Sequence, residues 1–173
     1  MPEQNKVAQF EQTVLPYLDA AYNLARWLTE DDHDAEDVVQ EACLRAFRFF
    51  DGFRGGDSRA WLLTIVRHTC YTWLRKNRGH EPTAFDEELD DFEAEASAEE
   101  LLLQRADQHA LRRAIEDLPA EFREVIVLRE LEGLSYKEIA VIAGVPLGTV
   151  MSRLARARKR LQQDLIQPVT REA

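Results

Sequence analysis

The side chains with the clearest capacity for chemistry lie near the C-terminus. From Thr149 to Gln162 the chain carries five bases, Arg153, Arg156, Arg158, Lys159 and Arg160, and no acid. Arginine can fork onto guanine edges, and both Lys and Arg neutralise phosphates. Helical spacing puts Val150, Leu154, Ala157 and Leu161 on a buried side. Thr149, Ser152, Arg153, Arg156, Lys159 and Arg160 are then the candidates for duplex contact. A second constellation joins aromatic and basic residues: Arg59, Trp61, Arg67, His68, Tyr71, Trp73, Arg75 and Lys76. Bases stack on rings while cations follow the phosphates, so this set suits single-stranded DNA. Either tryptophan could instead serve the core.

A third cluster is acidic. Thr29 to Glu41 holds seven acids and no base, whereas Arg45 to Arg78 holds eight bases and two acids. An acidic end beside a basic helix suggests two partners of different charge. Asp37 and Glu41 share one helix face and have no basic partner nearby in sequence. His33, Asp34, Glu36, Asp37 and Glu41 could be read as metal ligands. A di-metal bundle, however, needs Glu-x-x-His motifs on separate helices, and no second cluster of that kind occurs. No metal and no cofactor is expected. His68, His80 and His109 are isolated, and no Ser or Cys sits in a nucleophile motif, so the chain reads as a binding protein and not an enzyme.

The elements that must position these groups are helical. Val7, Phe10, Val14, Leu18, Ala21, Tyr22, Ala25 and Leu28 follow a helical period, with a break at Pro16. Asp34 is expected to cap the next helix, whose stripe is Ala35, Val38, Val39, Ala42, Ala46 and Phe49. The glycines between Asp51 and Asp57 mark a loop. Ser58 opens a helix to about Asn77, stopped by Gly79. Helix resumes near Glu99, breaks at Pro119 and continues from Glu121 to Leu131. Ser135 and Glu138 form a capping-box pattern. Gly144 turns the chain, Gly148-Thr149 is expected to cap the last helix, and the pair of helices reads as a helix-turn-helix.

The net charge of −10 is local. Between His80 and Glu100 there are ten acids and no base; without them the chain's 32 acids become 22, equal to its 22 bases. The expected fold is therefore all-α: two small helical domains, residues 1–79 and 99–173, joined by an acidic flexible linker at 80–98. Apolar residues make up 45% of the chain, which supports a core. No signal peptide or spanning segment is apparent, so membrane insertion is not expected. Cys43 and Cys70 read as buried thiols of a reducing compartment. A cytoplasmic location follows.

Four segments in order carry a family resemblance: Asp34-Ala35-Glu36-Asp37-Val38-Val39-Gln40-Glu41, Trp61-Leu62-Leu63-Thr64-Ile65-Val66-Arg67, Leu118-Pro119, and Gly148-Thr149-Val150-x-Ser152-Arg153-Leu154-x-Arg156-Ala157-Arg158. The chain resembles the extracytoplasmic-function sigma factors of the sigma-70 class, promoter-specificity subunits of bacterial RNA polymerase. The resemblance implies that Asp34, Asp37, Gln40 and Glu41 bind the clamp helices of the polymerase β′ subunit, with the β subunit as a further partner. It implies that the Phe53–Arg59 loop and the following helix melt and read the −10 element. The linker would thread toward the active centre, its acids mimicking nucleic acid, and the last helix would read the −35 element as duplex. An anti-sigma factor and a role in stress response are implied as well. Three positions depart from the family pattern. His68 stands where Asn is frequent, Thr72 where Asp is frequent, and Met151 where Arg is frequent, so family DNA contacts do not carry over there. The competing readings are a stand-alone helix-turn-helix regulator, which would bind its operator alone as a symmetric dimer, and a helical metalloenzyme.

Overall fold

The structure, a computed structural model, describes residues 2–78 and 107–166. The proposed linker, Gly79 and the segment from Glu99 to Ala106 lie outside the described residues. Every regular element among the described residues is helical. The chain divides into two compact units, the first centred on residues 2–78 and the second on residues 107–166.

In the first unit, α1 (Pro2–Val14) ends where Pro16 enters a short 3-10 turn, Leu15–Tyr17. Proline lacks the donor that would continue the α-helical ladder, so the break falls where it stands. α2 (Leu18–Thr29) follows and ends on Glu30, whose φ of 63° is left-handed. A residue with a Cβ pays steric free energy in that conformation. The turn is held by Arg26, whose Nε meets Asp32 Oδ1 at 2.6 Å. α3 (Asp32–Arg48) begins three residues earlier than a cap at Asp34 would dictate. Asp31 is the cap, its carboxylate accepting from the Asp34 backbone N–H at 3.0 Å. Asp34 is the recipient of the cap because it sits three residues further on, where the orphan N–H groups lie.

The core stripe of α3 is Ala35, Val38, Ala42 and Ala46, all at or near zero exposure. Three alanines on that stripe let α2 and α4 approach closely. Val39 is only half-buried, and Phe49, beyond the helix end, is 61% exposed. α4 (Ser58–Arg78) is capped by Asp57, whose Oδ1 accepts from Ala60 N at 3.1 Å. Its Leu62, Leu63, Val66, Cys70 and Leu74 close the core against Leu24 and Leu28 of α2.

In the second unit, α5 (Gln108–Glu116) starts on Asp107, which accepts from His109 N. α6 (Ala120–Ile126) passes into a π-helical turn, Val127–Leu131, closed by Glu132 N donating to Val127 O. Gly133, at φ 68°, releases the chain from it. The expected helix from Glu121 to Leu131 is thus two segments of different pitch. α7 (Tyr136–Ala143) opens with the capping box in full: Glu138 N donates to Ser135 Oγ and Ser135 N donates to Glu138 Oε1, each at 3.1 Å. α8 (Leu147–Ile166) follows a turn at Gly144, also at φ 68°. The axes of α7 and α8 differ by 102°, which is helix-turn-helix geometry. The expected cap at Gly148-Thr149 is one turn too late. The carbonyl of Pro146 accepts from both Thr149 N and Val150 N, so the helix starts at Leu147.

Candidate nucleic-acid interfaces

The buried stripe of α8 is Val150, Leu154, Ala157 and Leu161, each at 0–1% exposure. It seats the helix against α5 and α6. Lys159 and Arg160 are exposed, while Arg153 and Arg156 are half-buried. The Arg160 guanidinium lies 5.7 Å from the centroid of Phe122, so its position is set by α6.

Two of the expected duplex contacts are buried. Thr149 and Ser152 are 7% and 6% exposed, and Ser152 Oγ donates back to Thr149 O at 3.1 Å. A hydroxyl turned onto its own helix is not presented to a base. Arg158, the one of the five bases not among the duplex candidates, is turned into the unit. It is 3% exposed and its Nη2 donates to Glu130 Oε1 at 2.8 Å. Burial alone would lower its pKa, but hydrogen bonds with Glu130 and Tyr136 more than offset this and hold it above the ordinary arginine value. Arg129 packs over the Tyr136 ring at 4.6 Å and donates to Leu134 O. The π-helical turn, the start of α7 and the middle of α8 are thereby tied together. Sequence reasoning missed this network. Its signal was the position of Arg158, four residues after Leu154 and three before Leu161, on the edge of the core stripe.

In the first unit, Trp61, His68 and Arg75 recur at intervals of seven and so share one ridge of α4. His68, Arg75 and Lys76 are exposed, and Trp61 is half-buried. Trp73 lies twelve residues from Trp61, about 120° around the helix, so the two rings do not form one platform. Arg59 and Trp73 are half-buried. Tyr71 is buried. It is 8% exposed, and the Arg67 guanidinium covers its ring at 4.5 Å.

An aromatic cluster unforeseen from the sequence supports the N-terminal end of this ridge. Trp61 lies 4.8 Å from Phe53 and 6.2 Å from Phe50, and Phe50 continues to Phe10 of α1 at 5.5 Å. Phe10 also meets Phe47 edge-on at 5.2 Å, and Lys6 bridges to Asp51 at 3.1 Å. The loop that precedes α4 is therefore braced by α1. These partners are up to fifty residues apart, beyond the reach of local periodicity.

On α3, Asp37, Gln40 and Glu41 are exposed, and Asp34 is half-buried in the first turn. Leu44, next on the same i, i+3, i+4, i+7 face, is 64% exposed. The acids are not without basic neighbours, as the sequence suggested: Arg45 Nε meets Glu41 Oε1 at 3.1 Å, one helical turn on. Among the described residues, no group of three or more His, Cys, Asp or Glu could hold a metal ion, and no single helix is long and apolar enough to cross a membrane.

Comparison with known proteins matches both units. The family model for sigma-70 region 2 covers residues 13–80, and that for sigma-70 region 4 covers residues 108–161. The chain is 39% identical, over 80% of its length and 76% of the relative's, to the ECF RNA polymerase sigma-E factor of Escherichia coli K12.

The chain belongs to the extracytoplasmic-function sigma factors.

It is also 35% identical to the ECF sigma factor SigE of Mycolicibacterium smegmatis over 94% of its own length, spanning 64% of that relative. Among solved structures it resembles the sigma factor RpoE of Bartonella quintana, determined with the anti-sigma factor NepR. The identity is 30%, the TM-score 0.69, and the match covers 92% of this chain and 98% of that one. The region 4 match takes in α5 to α7 and most of α8, and so includes the Arg158–Glu130 tie between the π-helical turn and α8. The region 2 match takes in α2 to α4, with the exposed acidic face of α3 and the ridge of α4.

Proposed function

We propose that the exposed face of α3, Asp37, Gln40, Glu41 and Leu44, binds core RNA polymerase at the β′ clamp helices. An exposed leucine at the end of a charged, solvent-facing ridge is the supporting observation: it supplies an apolar contact beside charges that orient it. Asp34 contributes through the first turn of the helix. The ridge of α4, with Trp61, His68, Arg75 and Lys76, contacts the melted −10 element, and Arg59, Arg67 and Trp73 flank it. α8 contacts the −35 element as duplex through Arg153, Arg156, Lys159 and Arg160. Residues 1–79 and 99–173 are the two working domains, with 80–98 as their acidic connection and the β subunit as a further surface. Catalysis belongs to the polymerase, and the protein acts in the cytoplasm. An anti-sigma factor binds it, as NepR does in the complex with the Bartonella relative.

The stand-alone regulator reading is not favoured, because a free helix-turn-helix protein has no use for a region 2 unit with an exposed acidic helix face. Co-purification with core polymerase, followed by run-off transcription and footprinting, tests the proposal. A chain that protects promoter DNA by itself as a dimer, and gives no transcript with core enzyme, would overturn it.

A further inference from the structure

The fully exposed side chains in the first two turns of α8 are uncharged, and Arg153, in the second turn, is half-buried. Leu147 is 40% exposed and Met151 is 47% exposed. Gly148 between them is exposed and Ala155, one turn on, is half-buried. The two hydroxyls of these turns, on Thr149 and Ser152, are buried. Exposed cations begin only at Lys159 and Arg160. Leu147, Met151 and Ala155 follow one another at intervals of four, and Lys159, about 18 Å along the axis from Leu147 and about 120° around from it, begins the fully exposed basic part of the helix.

A recognition helix meets base edges with its N-terminal residues, while its distal part approaches the backbone. Within the major groove, thymine is the base that offers an apolar group, its C5-methyl. Guanine and adenine offer acceptors and donors that Leu and Met cannot pair. Methionine is unbranched and polarizable, so it adapts to a methyl group without a fixed geometry. The cations further along the helix suit the phosphates that flank such a contact.

We propose that Leu147 and Met151 read thymine C5-methyl groups in the upstream promoter element and are specificity-determining residues of this sigma factor. The proposal rests on the reading of α8 as the duplex-binding helix.

The experiment uses holoenzyme assembled from the full chain and core polymerase. Upstream elements are first selected from a randomised duplex, and each thymine in them is then replaced by deoxyuridine, which removes only the methyl group. At one or two positions binding should weaken about fourfold, the worth of one buried methyl group. In Met151→Ala or Leu147→Ala the penalty at the matching position should fall to near none, while Met151→Leu should retain it. Both residues are exposed, so helicity should be unchanged in all three variants. A wild-type holoenzyme indifferent to deoxyuridine overturns the proposal, as does a penalty that persists undiminished in both alanine variants. A wild-type footprint with no upstream protection overturns the duplex reading of α8 and this proposal with it. Upstream protection that is present but methyl-insensitive overturns this proposal alone.

Discussion

The Arg158 guanidinium meets the Glu130 carboxylate at 2.8 Å, with side-chain exposures of 4% and 36%. The pair joins the middle of α8 to the π-helical turn, and Tyr136 adds a hydrogen bond from the start of α7. Removing one partner of a buried pair leaves an uncompensated charge, which costs about 3–5 kcal/mol when burial is complete. Glu130 keeps about a third of its exposure, so Glu130→Gln should cost roughly 1–3 kcal/mol after screening. Urea denaturation of the full chain measures it. Arg158→Met, which replaces the charge with an apolar chain, should cost less than Arg158→Ala. Equal stability of Glu130→Gln and wild type would show that the pair is only a surface contact.

The capping box of α7 makes a second stability prediction. Ser135→Ala removes the acceptor for Glu138 N and should cost about 0.5–2 kcal/mol, whereas Ser135→Asp should preserve most of the cap. Thermal melts of the three proteins check the order. A melting point for Ser135→Ala at or above wild type would mean that packing alone fixes the start of α7.

Asp31 gives a pH prediction. Hydrogen bonding from the Asp34 backbone N–H holds its carboxyl below the ordinary aspartate value, and the His33 backbone and charge act in the same direction. A depressed folded-state pKa means stability that is present above the unfolded value of about 3.9 and is lost as pH falls through the folded value. The first unit should therefore weaken as the solution is acidified below about pH 4, and Asp31→Asn should lose part of that dependence. The carboxylate is exposed, so the effect is small and is best read from a titration of the Asp31 side chain by NMR. A midpoint at or above the ordinary value would refute the cap.

Features that depend on neighbours along the chain were legible in the sequence. The Ser135–Glu138 box, the break at Pro16, the turn at Gly144 and the stripe Val150-Leu154-Ala157-Leu161 each follow from residues within one or two turns. The cap of α3 was expected at Asp34 but is Asp31, which directly follows the left-handed Glu30 that ends α2. The Phe10–Phe50–Trp61 cluster and the Arg158–Glu130 pair join residues far apart in sequence. Composition counted Arg158 only as one of five bases, and local spacing gave no sign of its partner on the π-helical turn. Burial at Tyr71, Thr149 and Ser152 was hidden for the same reason: residue type suggested contact, while the fold leaves each at 8% exposure or less.

The α3 face predicts a separation of binding from folding. Asp37→Lys and Glu41→Lys should weaken affinity for core polymerase severalfold or more, read by fluorescence polarisation, with helicity unchanged. Leu44→Asp should weaken it as well, since it removes the apolar contact of the same face, and Leu44→Met should not. Glu41→Lys also loses the contact with Arg45, worth only about 0.3–0.5 kcal/mol for an exposed i, i+4 pair. A loss confined to stability would therefore be too small to mimic the binding defect. Unchanged affinity in all three disruptive variants would remove this face from the polymerase interface.

Salt dependence separates the bases of α8 by what each one does. A residue that neutralises a phosphate releases a counterion, so its removal lowers the slope of log K against log salt by about 0.9. Exposed Lys159 should behave in this way: Lys159→Ala weakens promoter binding across sequences and reduces the slope. Arg156, half-buried on the same helix, is expected to contact a base edge, worth about 1–3 kcal/mol. Arg156→Ala should therefore reduce upstream-element binding roughly tenfold and relax its sequence preference, with the slope little changed. Arg158 is different again, because its charge is spent on Glu130 inside the second unit. Arg158→Met should leave the slope at the wild-type value, and any loss of affinity should accompany lost stability. Holoenzyme binding to a promoter fragment at several salt concentrations distinguishes the three. If Arg158→Met lowers the slope as Lys159→Ala does, the Arg158 guanidinium reaches phosphate in the complex, and its pairing with Glu130 must open when DNA binds.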